Sequence, residues 1–165
     1  MKYIGNAHVY EIDHIDTDRI IPGKYTKTLD YSSFAEHVLE DLDPGFSKKA
    51  KNGDILVVGE NFGCGSSREQ APLAIKSKGI SIIIARSFAR IFFRNSVNVG
   101  MPVIEVPNHK IEKGDSVEVN LSQGTVLNLT TKEEYQGTVM PDIMIRIFEE
   151  GGLDDYLKKY KSYQL

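Results

Sequence analysis

Apolar and polar residues alternate through His8-Val9-Tyr10-Glu11-Ile12, the period of a half-buried strand. The chain then runs polar from Asp13 to Asp18, as a turn would, and reaches Pro22-Gly23, a strong turn dipeptide. Lys24 to Ser33 has no clean period and reads as an exposed loop. Phe34, Val38 and Leu39 share one face of a short helix, expected to stop before Pro44-Gly45.

The middle of the chain is more regular. Asp54 to Val58, flanked by Gly53 and Gly59, ends in four consecutive apolar residues and reads as a strand buried on both faces. A glycine-rich turn follows to Gly65, then a helix over Glu69 to Ser77 that Gly79 stops. Ile80 to Ala85 is a second buried strand, Ser87 to Val97 a second helix with Phe88, Ile91 and Phe92 on one face, and Met101 to Val106 a third strand. Strand, helix, strand, helix, strand implies parallel pairing. Beyond it, Ser116 to Asn120, Thr125 to Leu129 and Tyr135 to Val139 alternate as a meander. Pro141 suits the first turn of a helix over Asp142 to Glu149, and Gly151-Gly152 separates this from an amphipathic Leu153 to Tyr160. The fold class is therefore α/β, one domain over residues 1–165, with a central partly parallel sheet, flanking helices and additional β-strands.

Composition narrows the function classes. Of 165 residues, 41% are apolar and 26% charged, as in a soluble globular domain. A net charge of -3 counts against a nucleic-acid binder, and the nearest basic run, Lys158-Lys159-Tyr160-Lys161, reads as a solvated helix end. Ile80 to Ala85, the longest apolar run, is too short to cross a bilayer, and no apolar leader follows the first residues, so a cytoplasmic protein is expected. Cys64 is the only cysteine, which rules out an internal disulfide and leaves too few thiolates for an iron–sulfur cluster. His8, His14, His37 and His109 are scattered without metal spacing, so no metal site is expected.

One segment concentrates chemistry: Gly59-Glu60-Asn61-Phe62-Gly63-Cys64-Gly65-Ser66-Ser67-Arg68-Glu69. A buried strand enters it and a helix leaves it. Gly63 and Gly65 permit a tight turn and close approach of a ligand. Free N–H groups and the dipole at the helix start favour negative charge, and Arg68 offers a fork suited to carboxylate. This is a carboxylate or phosphate site with two hydroxyls in reach. It is not a P-loop, since Ser66 follows Gly65 where lysine is required, nor a dinucleotide fingerprint, since Arg68 replaces a glycine. A Gly-x-Ser-x-Gly elbow is absent too. Ser66 and Glu69 also have capping-box spacing, a purely structural role that stands beside the chemical one.

Gly63 to Glu69, then Ala85-Arg86-Ser87-Phe88-Ala89-Arg90-Ile91-Phe92, then Asn95 to Gly100, resemble the swivel domain of the aconitase superfamily. Asp16-Thr17-Asp18-Arg19-Ile20-Ile21-Pro22 is similar to the opening of its free-standing small subunits, those of 3-isopropylmalate dehydratase and homoaconitase. The resemblance implies an aconitase-type swivelling β/β/α domain in a heteromeric hydro-lyase. By the same resemblance Ser66 is the base that takes a proton beside a carboxylate, while Ser67 and Arg68 bind substrate carboxylate. Asp18 matches an active-site aspartate, although an Asx-turn role is equally compatible with its sequence context. Arg90 and Arg94 are read as structural or interface residues.

The family's [4Fe–4S] cluster is held by three cysteines of a large subunit, so the resemblance implies that partner, as a heterodimer or heterotetramer, no cofactor on this chain, and no ligand role for Cys64. Substrate choice is expected in Lys24 to Thr28, where Thr26 and Lys27 stand in place of the Leu-Arg of relatives that accept a further carboxylate. The expected substrate is a small hydroxy-diacid, 3-isopropylmalate first, with homoaconitate, citraconate and 2,3-dimethylmalate as alternatives. Two other classes remain open: a stand-alone carboxylate- or phosphate-binding module, and an RNA-binding offshoot that the acidic balance disfavours.

Overall fold

Four consecutive apolar residues, Ile55 to Val58, avoid water on both faces only inside a covered parallel sheet, and all four are buried. The computed structural model describes residues 1–162. Its strands are β1 (Lys2–Tyr10), β2 (Ile55–Val58), β3 (Ile82–Ala85), β4 (Val103–Glu105), β5 (Ser116–Asn120), β6 (Thr125–Asn128) and β7 (Glu134–Gln136), in the spatial order β4-β3-β2-β1-β5-β6-β7. β1 to β4 pair in parallel, with Ala7 opposite Ile55, Ile55 opposite Ile82 and Ile83 opposite Val103. β5 to β7 form the antiparallel meander.

β1 joins the two halves. Its first residues, Lys2 to Asn6, pair antiparallel with β5, and Ala7 to Tyr10 pair parallel with β2. The expected strand over His8 to Ile12 is thus longer and earlier. Its alternation of exposed and half-buried residues gives a weak apolar signal at Lys2 to Asn6, where the strand pairs edge to edge with β5.

The helices are α1 (Thr17–Ile20), α2 (Tyr31–His37), α3 (Phe46–Lys49), α4 (Gln70–Ser77), α5 (Arg90–Val99), α6 (Asp142–Glu149) and α7 (Leu153–Tyr160). Several differ from the sequence expectation. The polar run Asp13 to Asp18 contains the start of α1, where Asp16 caps by accepting from the Arg19 N–H at 3.0 Å. Lys24 to Ser33 is not one loop: Gly23–Tyr25 is a 3₁₀ turn, and α2 begins at Tyr31 under an Asp30 cap. α3 lies beyond Pro44-Gly45, and α5 starts at Arg90 rather than Ser87, because Ser87 to Ala89 are engaged by the glycine-rich turn. Pro141 takes the cap position before α6, and the last meander strand stops at Gln136, since Gly137 and Thr138 turn to bond Gly124 and Glu105.

One apolar core spans the sheet, and its largest fully buried side chains include Phe34, Phe46, Phe62, Phe92 and Tyr156. The turns leaving β2 and β3 stand at the C-terminal ends of the parallel strands, where open α/β sheets hold ligands.

Candidate active site

After Val58 the backbone continues as an extended segment zipped on both sides. On one side the His14 N–H donates to the Glu60 carbonyl, Gly63 to Ile15 and Thr17 to Cys64, each at 2.8 or 2.9 Å. The Asp13 carboxylate accepts from the Glu60 N–H at 2.8 Å. On the other side Phe62 donates to the Ser87 carbonyl and Ala89 donates to Phe62, while the Ser87 hydroxyl accepts from the Asn61 N–H. The Phe62 ring anchors this segment against Phe88 and Phe92, at centroid distances of 6.3 and 5.1 Å. Gly63 is needed for that packing: its φ is +82°, and a Cβ would stand 2.2 Å from the Phe92 ring. The tight turn expected at Gly63 is present, and a buried aromatic ring occupies the space that a Cβ there would need. Gly65, at φ +93°, is exposed.

Beyond Cys64 the zipper ends. Among the described residues, the backbone N–H groups of Gly65 through Gln70 make no hydrogen bond within the chain. The Thr17 hydroxyl donates to the Ser66 carbonyl at 3.0 Å and fixes that peptide. Ser66 and Ser67 are both exposed. The capping box is not formed: Glu69 itself is the residue preceding α4, and no side chain caps the helix. Ser66 is thereby left without a local structural duty.

Arg68 is held from two sides. Its Nη1 lies 3.0 Å from Asp18 Oδ1, on the first turn of α1. Its guanidinium also lies along the backbone of Gly23, where a Cβ would approach Nη1 to 2.8 Å. About a quarter of the Arg68 side chain and 60% of the Asp18 side chain remain accessible, and the buried Nη1 makes an ion contact but no hydrogen bond, so the guanidinium keeps donors open to a ligand. The α1 cap is Asp16, while the Asp18 carboxylate faces Arg68.

The structure therefore brings Ser66, Ser67, Arg68, Gly65 and Asp18 together and ties Gly23 to them. The Thr26 hydroxyl donates to the Gly23 carbonyl at 2.8 Å, closing its own turn, and Lys27 is exposed. Tyr25 stacks on His37 at 3.9 Å, so the segment expected to be an exposed loop starts from a packed base. Sequence reading missed Thr17 and Gly23 as supports of the site. Their signals were the Asp-Thr-Asp run and the Pro-Gly pair, which spacing alone does not connect to a turn some 45 residues on.

A second cluster braces the neighbouring strand end. Arg86, after β3, donates from Nε and Nη2 to the Glu11 carboxylate at 3.0 and 3.2 Å, and to the carbonyls of Pro107 and His109. Burial, reinforced by the Arg86 charge, holds the His109 imidazole below its ordinary pKa. None of these groups reaches the serines.

The chain's own donors do not fit an iron–sulfur cluster. Cys64 is its only cysteine, and no three His, Cys, Asp or Glu among the described residues group to hold a metal ion. No described helix is long and apolar enough to cross a membrane.

The chain is similar to known proteins in both sequence and fold. Residues 36–109 match the Aconitase C-terminal domain. The chain is 51% identical over 160 residues to the 3-isopropylmalate dehydratase small subunit of Caldicellulosiruptor saccharolyticus, covering 96% of this chain and 92% of that one. It is 49% identical to the corresponding subunit of Aquifex aeolicus, covering 96% of each. A crystal structure of 3-isopropylmalate dehydratase from Methanocaldococcus jannaschii superposes with a TM-score of 0.91 at 45% identity, over 98% of this chain and 96% of that one. At these identities and near-complete coverage, with the serine–arginine turn built as described, the chain belongs to the family of 3-isopropylmalate dehydratase small subunits in the aconitase superfamily.

Proposed function

We propose that this chain pairs in the cytoplasm with a large subunit carrying a [4Fe–4S] cluster, and that the shared site interconverts 2-isopropylmalate and 3-isopropylmalate through an alkene. The observation that carries the reading is the exposed Ser66–Ser67 pair on a turn with unengaged N–H groups, beside an arginine already held for a carboxylate.

On this reading Arg68 and the Ser67 hydroxyl hold the substrate carboxylate, and Asp18 keeps the guanidinium aimed. The Ser66 oxygen takes the proton from the carbon next to that carboxylate. The C–H electron pair becomes the second bond of the alkene as the hydroxyl departs on the partner's side, and return of proton and hydroxyl at exchanged carbons gives the isomer. A serine alkoxide is costly in water, so the free N–H groups and the Arg68 charge lower the cost of the charge that develops on Ser66.

The purified chain is expected to be inactive alone. Mixed with the large subunit and a reconstituted cluster, it is expected to give isomerisation detected by the transient alkene absorbance. Turnover by this polypeptide alone under metal-free conditions would overturn the reading.

A further inference from the structure

A groove of ≈ 380 Å³ lies beside the candidate site, at the ends of β3 and β4. Its apolar lining comes from Phe88, Phe93, Met140 and Met144, with Val139 on the rim, 62% exposed. Across it stand Arg90 and Arg94, one turn apart on α5 and both exposed. The arginines at 19, 68 and 86 pair with Asp41, Asp18 and Glu11. Neither Arg90 nor Arg94 has an ion-pair partner among the described residues. The groove's one acid, Glu105, is engaged, accepting from the Phe88 N–H at 3.0 Å.

An apolar floor beside two unneutralised guanidiniums fits an apolar segment flanked by carboxylates. Wide exposure of both arginines favours a protein segment over a small molecule, which needs an enclosed site to gain affinity. The groove is also continuous with the site: Phe88 lines it and pairs through its backbone and ring with Phe62, the anchor of the serine turn. A chain seated here would reach the edge of that turn.

We infer that this groove docks an acidic, apolar-flanked segment of the cluster-bearing large subunit, with Arg90 and Arg94 reading its carboxylates. This rests on the proposed function, which requires such a partner, and adds where it binds and by what chemistry. Arg68 meets substrate, whereas Arg90 and Arg94 meet protein.

The test measures association and turnover separately, using the full chain and its large subunit. The double variant R90E/R94E is expected to raise the Kd for the large subunit by roughly ten- to a hundred-fold. Its kcat at saturating partner should match wild type, since neither residue touches substrate. Arg90 opens α5, where a carboxylate complements the helix dipole. The variant chain should therefore melt no lower than wild type, so lost binding is not lost folding. V139D, on the exposed rim, tests the apolar half in the same way. Wild-type affinity in both variants, with wild-type chain binding and turning over normally, overturns the docking site alone. Failure of the wild-type chain to bind or activate the large subunit overturns the proposed function, and the groove's role with it.

Discussion

Asn128, the last residue of β6, and Ser66, on the turn between β2 and α4, belong to the two halves of the molecule, and their surroundings treat polar groups in opposite ways. Asn128 is fully buried, and its amide nitrogen donates to the Asp115 carboxylate at 2.7 Å. Its side-chain oxygen accepts from the N–H groups of Thr130 and Thr131, and Asp115 also accepts from Glu112. The meander turn thus consumes its own donors and acceptors. The Ser66 turn leaves a run of N–H groups and two exposed hydroxyls unused, next to a fixed cation. Both halves of the sheet bury apolar residues. A turn closed on itself stabilises the fold, while a turn left open by a well-supported base can bind and react.

The strongest way to sharpen this contrast is to remove the Ser66 hydroxyl. Ser66→Ala is expected to lower kcat of the assembled enzyme by roughly 10²–10⁴, the range for a positioned acid–base group. Since no cap depends on that hydroxyl, the melting temperature of the free chain should not change. Near-full turnover in an intact complex would remove Ser66 from the chemistry. Asn128→Ala should do the reverse. It removes one of the two donors to the buried Asp115 carboxylate and leaves two turn N–H groups without their acceptor, a loss of about 2–4 kcal/mol in unfolding free energy. At saturating partner and a temperature where the variant is folded, kcat should be that of wild type. Denaturant titration and steady-state rates separate the two.

Arg68→Lys breaks the open turn more gently. A single ammonium replaces a fork held by Asp18 and fitted against Gly23, so KM should rise about ten-fold while kcat falls less. An unchanged KM would mean that Arg68 serves only the ion pair.

How much of this was legible beforehand depended on the range of the contacts involved. β2, β3 and the helix between them could be read because Ile55–Val58 and Ile82–Ala85 are uninterrupted apolar runs, the first between Gly53 and Gly59 and the second shortly after Gly79, a local signal. The β1–β5 pairing could not: Lys2 to Asn6 are half-exposed, and their partners lie more than a hundred residues away. α1 and α3 were missed because each is a single turn of four residues. At the site, the serine turn was visible as a motif, but the Arg68–Asp18 pair joins residues fifty positions apart. Only family resemblance connected them. The capping box was a legible pattern that the structure does not use, since the chain enters α4 one turn later than the spacing suggests.

The brace at the neighbouring strand end predicts a pH dependence with a definite sign. His109 is buried, and its Nε2 makes no hydrogen bond. Burial disfavours the imidazolium and Arg86 adds to that, so the folded pKa lies below the ordinary value of 6.5. Above that value both folded and unfolded chains carry neutral imidazole, and the full stability is present. As pH falls below it, the unfolded chain takes up the proton first, and stability is lost at up to about 1.4 kcal/mol per pH unit. His109→Asn should flatten that slope in unfolding titrations between neutral and mildly acid pH. A slope that persists in the variant assigns the effect to other groups.

The smallest expected effect concerns Lys27. A desolvated lysine facing a third carboxylate would shift kcat/KM by several kcal/mol between substrates. In the free chain, however, Lys27 is exposed and Thr26 has turned its hydroxyl into the Gly23 carbonyl. A solvent-screened charge contributes at most about 1 kcal/mol. Its stem, lying along an isopropyl group, would add only a modest apolar term. Lys27→Leu should therefore change kcat/KM for 3-isopropylmalate by less than roughly five-fold, and turnover of homoaconitate should stay low in both proteins. Comparing 3-isopropylmalate, homoaconitate and 2,3-dimethylmalate in the two assembled enzymes decides the point. A homoaconitate preference in wild type that vanishes in the variant would show that partner binding buries Lys27, and would move this chain's specificity to tricarboxylates. An unchanged ranking places substrate choice with the turn around Gly23 and with the large subunit, leaving the open serine turn as this chain's whole contribution to chemistry.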